Sequence, residues 1–126
     1  MVTTIQTKRH NSTSRMDIHD VVRVLNAGLG STLVAAASGS KDRKLPLKWA
    51  KPDGPTPSPA FTTRLLHLHR QWTLIEEVEG PDVARQWFIG GNPSLGEQTP
   101  LTAIREDRLR DVSAAVDAFL ETPEKA

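Results

Sequence analysis

A chain of 126 residues, 37% of them hydrophobic, with a mean hydropathy of −0.40, is long enough for one domain or for two small helical units that share a core. It has no cysteine, which excludes disulfides and thiolate metal sites, and no apolar run approaches the ~20 residues that cross a bilayer. The net charge of +1 conceals an asymmetry: residues 1–58 carry nine Lys/Arg against four Asp/Glu (+5), and residues 59–126 carry seven against eleven (−4). A basic front and an acidic back suit different partners. The apolar stretch Leu33–Ala37 is too short and badly placed for a signal segment, so the expectation is a cytoplasmic protein without a membrane partner.

Residues 1–15 have no periodicity and read as a disordered basic tail. Asp17 is the N-cap of a first helix, with Asp20 in its first turn and Ile18, Val21, Val22, Leu25 and Leu29 at helical spacing. Gly28 and Gly30 should stop it. Ser31 then caps a second helix, Thr32–Ser38, whose Ala35-Ala36-Ala37 run permits close helix approach, and Gly39 makes the turn. A third helix starts at Asp42 or at Leu45 and runs to Ala50; either way Pro46 must lie in its first turn.

Helix, small helix, glycine turn and basic helix form the outline of a helix-turn-helix over residues 16–58. With Gly39 as the turn glycine, Lys48 falls where an apolar residue belongs and Trp49 comes one position late, so the pattern is a variant with one extra turn residue. Lys41, Arg43, Lys44, Lys48 and Lys51 stand against one carboxylate, Asp42, and make a candidate phosphate-binding stripe for DNA. Trp49, the large aromatic of this unit, is expected in the core.

The proline-rich run 52–59 is a stiff connector that ends in a Ser58-Pro59 N-cap and N1 pair. Ala60–Val78 should be the longest helix, residues 59–80 forming a connecting core element. Its apolar face is Phe61, Leu65, Leu68, Trp72, Ile75 and Val78, widened by Leu66 and Leu74 toward a second surface or a dimer partner. Because this helix should pack on both halves, neither half is expected to fold separately. A short helix follows Gly80-Pro81 with Val83, Ala84, Trp87 and Phe88. Another spans Pro100–Arg105, and Asp107 is expected to cap a last one whose stripe is Leu109, Val112, Val116, Phe119 and Leu120. Thr122-Pro123 ends it, and residues 122–126 read as a tail.

Chemistry is sparse. His67 and His69 are two apart, about 200° around a helix, and cannot chelate one metal. No phosphate-cradling glycine motif or nucleophile–base pair can be assembled, so no catalytic residue, metal or cofactor is expected.

The best-specified stretch is Gln86–Leu101. In it, Gly90-Gly91 is expected to close a helix in the left-handed conformation, Asn92-Pro93 turns the chain, and Thr99-Pro100 restarts a helix. The run Trp87 to Arg105, with Asn92-Pro93, Leu95-Gly96, Thr99-Pro100-Leu101 and Ile104-Arg105 in order, resembles the toxin-binding domain of Xre/MbcA/ParS-type bacterial antitoxins. The match is clear over about residues 81 to 120. The resemblance implies an all-α protein, with an N-terminal Xre-like helix-turn-helix unit and a C-terminal toxin-binding unit at 81–121. Its expected partners are operator DNA and a RES-domain toxin that attacks NAD, in a homodimer or a hetero-oligomer with the toxin. Expected toxin contacts are Asn92, Ser94, Leu95, Glu97, Gln98, Arg105 and Arg108. Two alternatives stay open. One is a stand-alone regulator whose C-terminal unit dimerises; the other is a toxin-binding protein whose N-terminal unit no longer reads DNA.

Overall fold

The computed structural model describes residues 16–123, so the expected tail at 1–15 and residues 124–126 lie outside the described residues. Within that range the chain is all-α, with no strand. In order it forms α1 (Ile18–Leu29), α2 (Ser31–Ser38), α3 (Leu45–Trp49), α4 (Pro59–Glu79), α5 (Pro81–Ile89), a 3-10 turn (Pro93–Leu95), α6 (Pro100–Arg105) and α7 (Leu109–Glu121).

Helix α4 is the axis on which the rest is laid. It starts where expected: the Ser58 hydroxyl accepts the Phe61 N–H at 3.3 Å, and Pro59 occupies the first turn, where a missing N–H costs nothing. Its buried side chains Leu65, Leu68, Trp72 and Ile75 are the contact face for α1, α2, α5, α6 and α7. Each such side chain contributes about 1.5–3 kcal/mol on removal from water. Val78, expected on this face, is instead 62% exposed. The rows Leu65, Leu68, Trp72 and Ile75 step by three and four residues toward position 79. Position 78 is therefore turned aside by about 100°. Gln71 is buried in company with Trp72, donating from Nε2 to the Ser113 hydroxyl at 3.1 Å.

The first and last parts of the chain meet directly. Helix α2 packs on α6, and both helices bury small residues, Ala35 and Ala37 in the first and Ala103 in the second. One hydrophobic cluster draws buried residues from every helix and from Leu95 of the 3-10 turn. A further tie is Arg64 of α4, which donates from Nε and Nη2 to the two carboxylate oxygens of Asp107 at 2.9 and 3.1 Å. Its Nη1 reaches the Ser38 carbonyl at 2.8 Å. This fork raises the Arg64 guanidinium above its ordinary value and holds the Asp107 carboxyl below its own, through the hydrogen bonds first, with burial opposing and the paired charges adding to the shift.

Four local expectations are corrected. Gly28 does not stop α1 but lies inside it, and a Cβ there would come within 2.4 Å of the Trp72 ring; the glycine is a slot for that ring. Gly30, not Ser31, is the N-cap of α2, and Ser31 is already helical. Asp107 does not cap α7, because its carboxylate is committed to Arg64 and its backbone takes φ 63; Arg108 is the N-cap, with no side-chain cap bond. Gly90 is extended (φ −90, ψ 151), and the left-handed residues of that loop are Gly96 (φ 66) and Glu97 (φ 72). Gly91 serves close approach, since a Cβ would stand 3.0 Å from the Glu97 carbonyl oxygen.

Candidate functional site

Two surfaces bring together the residues singled out from sequence. The first is the basic segment 41–51. Its turn is held by its own backbone: the Asp42 carboxylate accepts the Lys44 N–H at 2.9 Å, and the Ser40 hydroxyl donates to the Asp42 carbonyl at 3.0 Å. Asp42 is thus spent within the turn. Helix α3 starts at Leu45, with Pro46 in its first turn and Trp49 buried beside Phe61 at a ring separation of 5.8 Å.

A five-residue helix leaves most of its terminal carbonyls without partners of its own. Helix α1 meets those of Trp49 and Ala50, and adds a second donor to that of Pro46, which already takes the Ala50 N–H. His19 Nδ1 lies 2.7 Å from the Trp49 carbonyl oxygen, Arg23 Nη2 donates to the Ala50 carbonyl at 2.9 Å, and Asn26 Nδ2 donates to the Pro46 carbonyl at 3.0 Å. With its back pinned, α3 presents its other side outward.

Lys41, Arg43 and Lys44 lie in the turn, Lys48 lies in α3 and Lys51 follows it; all five are exposed. None has an ion-pair partner among the described residues. The expected stripe around a basic helix is therefore mostly a basic turn on either side of a very short one. The Asp42-based turn holds residues before Leu45 out of the helix, and Pro52 bars its extension. The register conflict resolves in favour of Trp49, which is 2% exposed, while Lys48 points to solvent.

The second surface is the loop between α5 and α7. Asn92 organises it: its side chain accepts the Ser94 N–H at 2.9 Å, and its carbonyl accepts the N–H groups of Leu95 and Glu97 at 2.8 and 2.9 Å. Its own N–H donates to the Gln98 carbonyl at 3.0 Å. Thr99 caps α6 as expected, accepting the Thr102 N–H at 3.1 Å. Arg108 closes the loop from behind. Its Nη1 donates to the Gln98 Oε1 at 2.6 Å and the Leu95 carbonyl at 3.2 Å, while its Nε holds Asp111 at 3.0 Å. Gln98 in turn donates to Glu106 at 2.8 Å.

The expected toxin contacts accordingly divide. Leu95 is fully buried, so its side chain belongs to the core and cannot meet a partner: that assignment is corrected. Asn92, Gln98 and Arg108 are half-buried and hold the loop together. Ser94, Glu97 and Arg105 are exposed and available. Trp87 is half-buried, edge-on to Phe88 at 4.9 Å and near Phe119 at 6.1 Å, which makes it part of the packing between α5 and α7.

Sequence reasoning missed a shallow apolar groove of about 140 Å³ beside Arg105, lined by Leu33 and Ala36 of α2, Ile89 of α5 and Leu101 of α6. No signal in the chain marks it, because its walls come from three separated segments. It missed equally the role of α1, since His19, Arg23 and Asn26 gain meaning only once α3 lies against them.

Among the described residues no group of three His, Asp or Glu is placed to hold a metal ion. His67 and His69 are both half-buried, and burial pushes each imidazole below its ordinary value. His67 Nε2 stands 3.3 Å from the Ser113 hydroxyl, beside the bond from Gln71. No described helix is long and apolar enough to cross a membrane. Comparison with protein-family models, with curated proteins and with solved structures found no match in any of the three. Function is therefore read from the two surfaces and from the resemblance of the 87–105 stretch.

Proposed function

We propose that this chain is the antitoxin of a two-component toxin–antitoxin pair, with operator DNA on the 41–51 surface and a RES-domain toxin on the surface around the 92–105 loop. The observation that carries the DNA half is the set of five exposed cations free of ion pairs on a pinned turn–helix segment. Unpaired cations on a rigid support neutralise phosphates at little ordering cost. In this reading α2, the Gly39 turn and α3 are a shortened helix-turn-helix. The toxin half is supported by the resemblance and by the loop's rigidity, which leaves Ser94, Glu97 and Arg105 as the surface positions. No enzymatic role is assigned to the chain.

A second reading, a stand-alone dimeric regulator, is favoured by one observation. Leu66, Leu74 and Val78 are all exposed on the outer side of α4, as an unoccupied helix–helix contact would be. Co-expression separates the two. With a RES-domain protein encoded beside it, an antitoxin restores growth and cellular NAD, and substitution of Ser94, Glu97 and Arg105 abolishes the rescue while DNA binding persists. A protein that neither binds that neighbour nor restores growth is the regulator. One that rescues growth but binds no DNA has lost the operator function.

A further inference from the structure

The basic surface carries one side chain that phosphate binding does not explain. Leu47 is 53% exposed in the middle of α3. Lys44 is the N-cap of α3 and Ala50 its C-cap, both with right-handed helical backbone, and Lys51 follows, its N–H bonding back to the Lys48 carbonyl. Lys44, Leu47 and Lys48 are spaced i, i+3 and i+4, which places them on one side of the short helix; Lys51 lies just beyond its end, and all four are exposed. The surface thus sets one exposed isobutyl group beside exposed lysines, on a helix whose back is fastened to α1 by His19, Arg23 and Asn26.

A partner that fits must offer negative charge around an apolar floor. A DNA duplex does so in its major groove, which is about 12 Å wide, has phosphates on both rims and displays the C5-methyl group of thymine. The minor groove, about 6 Å wide, does not admit a helix. We propose that Leu47 is the base-contacting residue of this face: Lys44, Lys48 and Lys51 take the rim phosphates, and Leu47 packs on a thymine methyl in the major groove. This rests on the DNA reading above and adds to it the groove, the residue and the kind of base. It also implies shallow sequence discrimination, because one apolar contact distinguishes a methyl group and little else, while the lysines distinguish nothing.

The test compares two short duplexes, alternating dA–dT and alternating dA–dU, which differ only in the thymine methyl groups. Binding of the full chain is measured by fluorescence anisotropy over a salt series. The expected result is tighter binding to dA–dT by about fourfold, the size that burial of one methyl-sized group gives. Leu47→Ala should erase that preference while keeping the salt slope, and Leu47→Met should keep much of it. Since Leu47 is exposed, Leu47→Ala should remain folded, which its circular dichroism and melting temperature check. Equal affinity of the wild type for the two duplexes, or a methyl preference that survives Leu47→Ala, overturns the proposal while salt-dependent binding leaves the DNA reading standing. Absence of any salt-dependent duplex binding overturns both. Vesicles of phosphatidylserine and phosphatidylcholine are the control for a lipid surface: Leu47-dependent binding to them, with no methyl preference on DNA, also overturns it.

Discussion

The basic segment 41–51 and the loop 90–108 look alike in sequence, both being short, polar and punctuated by proline, yet they spend their charges in opposite ways. In the first, the neutral and acidic groups build the turn and all five cations are left over. In the second, the cation builds the turn: Arg108 satisfies the Leu95 carbonyl, Gln98 and Asp111 at once. A cation held by three neighbours has little to offer a partner, whereas one with no acceptor nearby keeps its full field for an incoming phosphate. Charge counted along the chain cannot separate these cases. The partner of each charge decides.

The sharpest test of this contrast is at Leu95 and Lys48, both of which belong to candidate binding segments. Leu95→Ala should cost about 2–5 kcal/mol of stability, because it empties a fully buried site in the common core. Lys48→Ala, on an exposed face, should stay within about 0.5 kcal/mol of wild type. Urea unfolding checks both. A stable Leu95→Ala protein would mean that the loop is not seated as described.

Next in size is the response of DNA binding. Five phosphate contacts give a slope of about −4.5 for log affinity against log salt, and Arg43→Ala with Lys44→Ala and Lys48→Ala should bring it to about −1.8. Affinity near ~0.1 M salt should fall about a hundredfold or more, with the melting temperature unchanged. Equal slopes in wild type and triple variant would show that these cations do not face the DNA.

A smaller effect separates the two arginines of the second surface. Arg108→Ala leaves the Leu95 carbonyl and the Gln98 side chain without their donor, which should cost about 1–3 kcal/mol. Arg105→Ala, exposed and at the rim of the apolar groove, should be neutral in stability and appear only as weakened toxin inhibition. If Arg105→Ala destabilises as much as Arg108→Ala, the division between structural and available side chains fails.

How much of this was legible follows from the range of each interaction. Helix starts set by a local cap, Asp17, Ser58-Pro59 and Thr99-Pro100, stand where the sequence places them, because the cap and its N–H are two or three residues apart. Two caps stand elsewhere: Ser31 is already helical behind Gly30, and the Asp107 carboxylate is held by Arg64, 43 positions away. Gly28 was misread for the same reason, since its need for space comes from Trp72. The candidate cations were all identifiable from sequence, but their freedom from partners was not, and neither was the α1 clasp that holds α3.

The smallest predicted effect concerns pH, and it tests whether the closed part of the molecule can be loosened without touching the open one. His67 and His69 on α4 are half-buried, and loss of hydration holds each imidazole below its ordinary value; for His67 the Arg70 charge acts in the same direction, against a backbone hydrogen bond at Leu109. A histidine that resists protonation when folded binds more protons when unfolded, so stability rises with pH in the window between the two values. Both should therefore be silent above about pH 7.5, where each state is neutral, and should cost stability as pH falls through about 6.5 toward the lower folded values. Each can contribute at most about 1.4 kcal/mol per pH unit in that window. Asp107 does not confuse the result, because its carboxyl lies below the ordinary carboxylate range and stays ionised throughout. Melting temperature measured from pH 7.5 to 5.5 should fall in the wild type and fall less in a His67→Gln, His69→Gln variant. Residues 41–51 contain no histidine, so the salt slope of duplex binding should not change over the same range. A melting temperature that does not move in wild type, or moves equally in the variant, would show that neither histidine is constrained by the packing of α4.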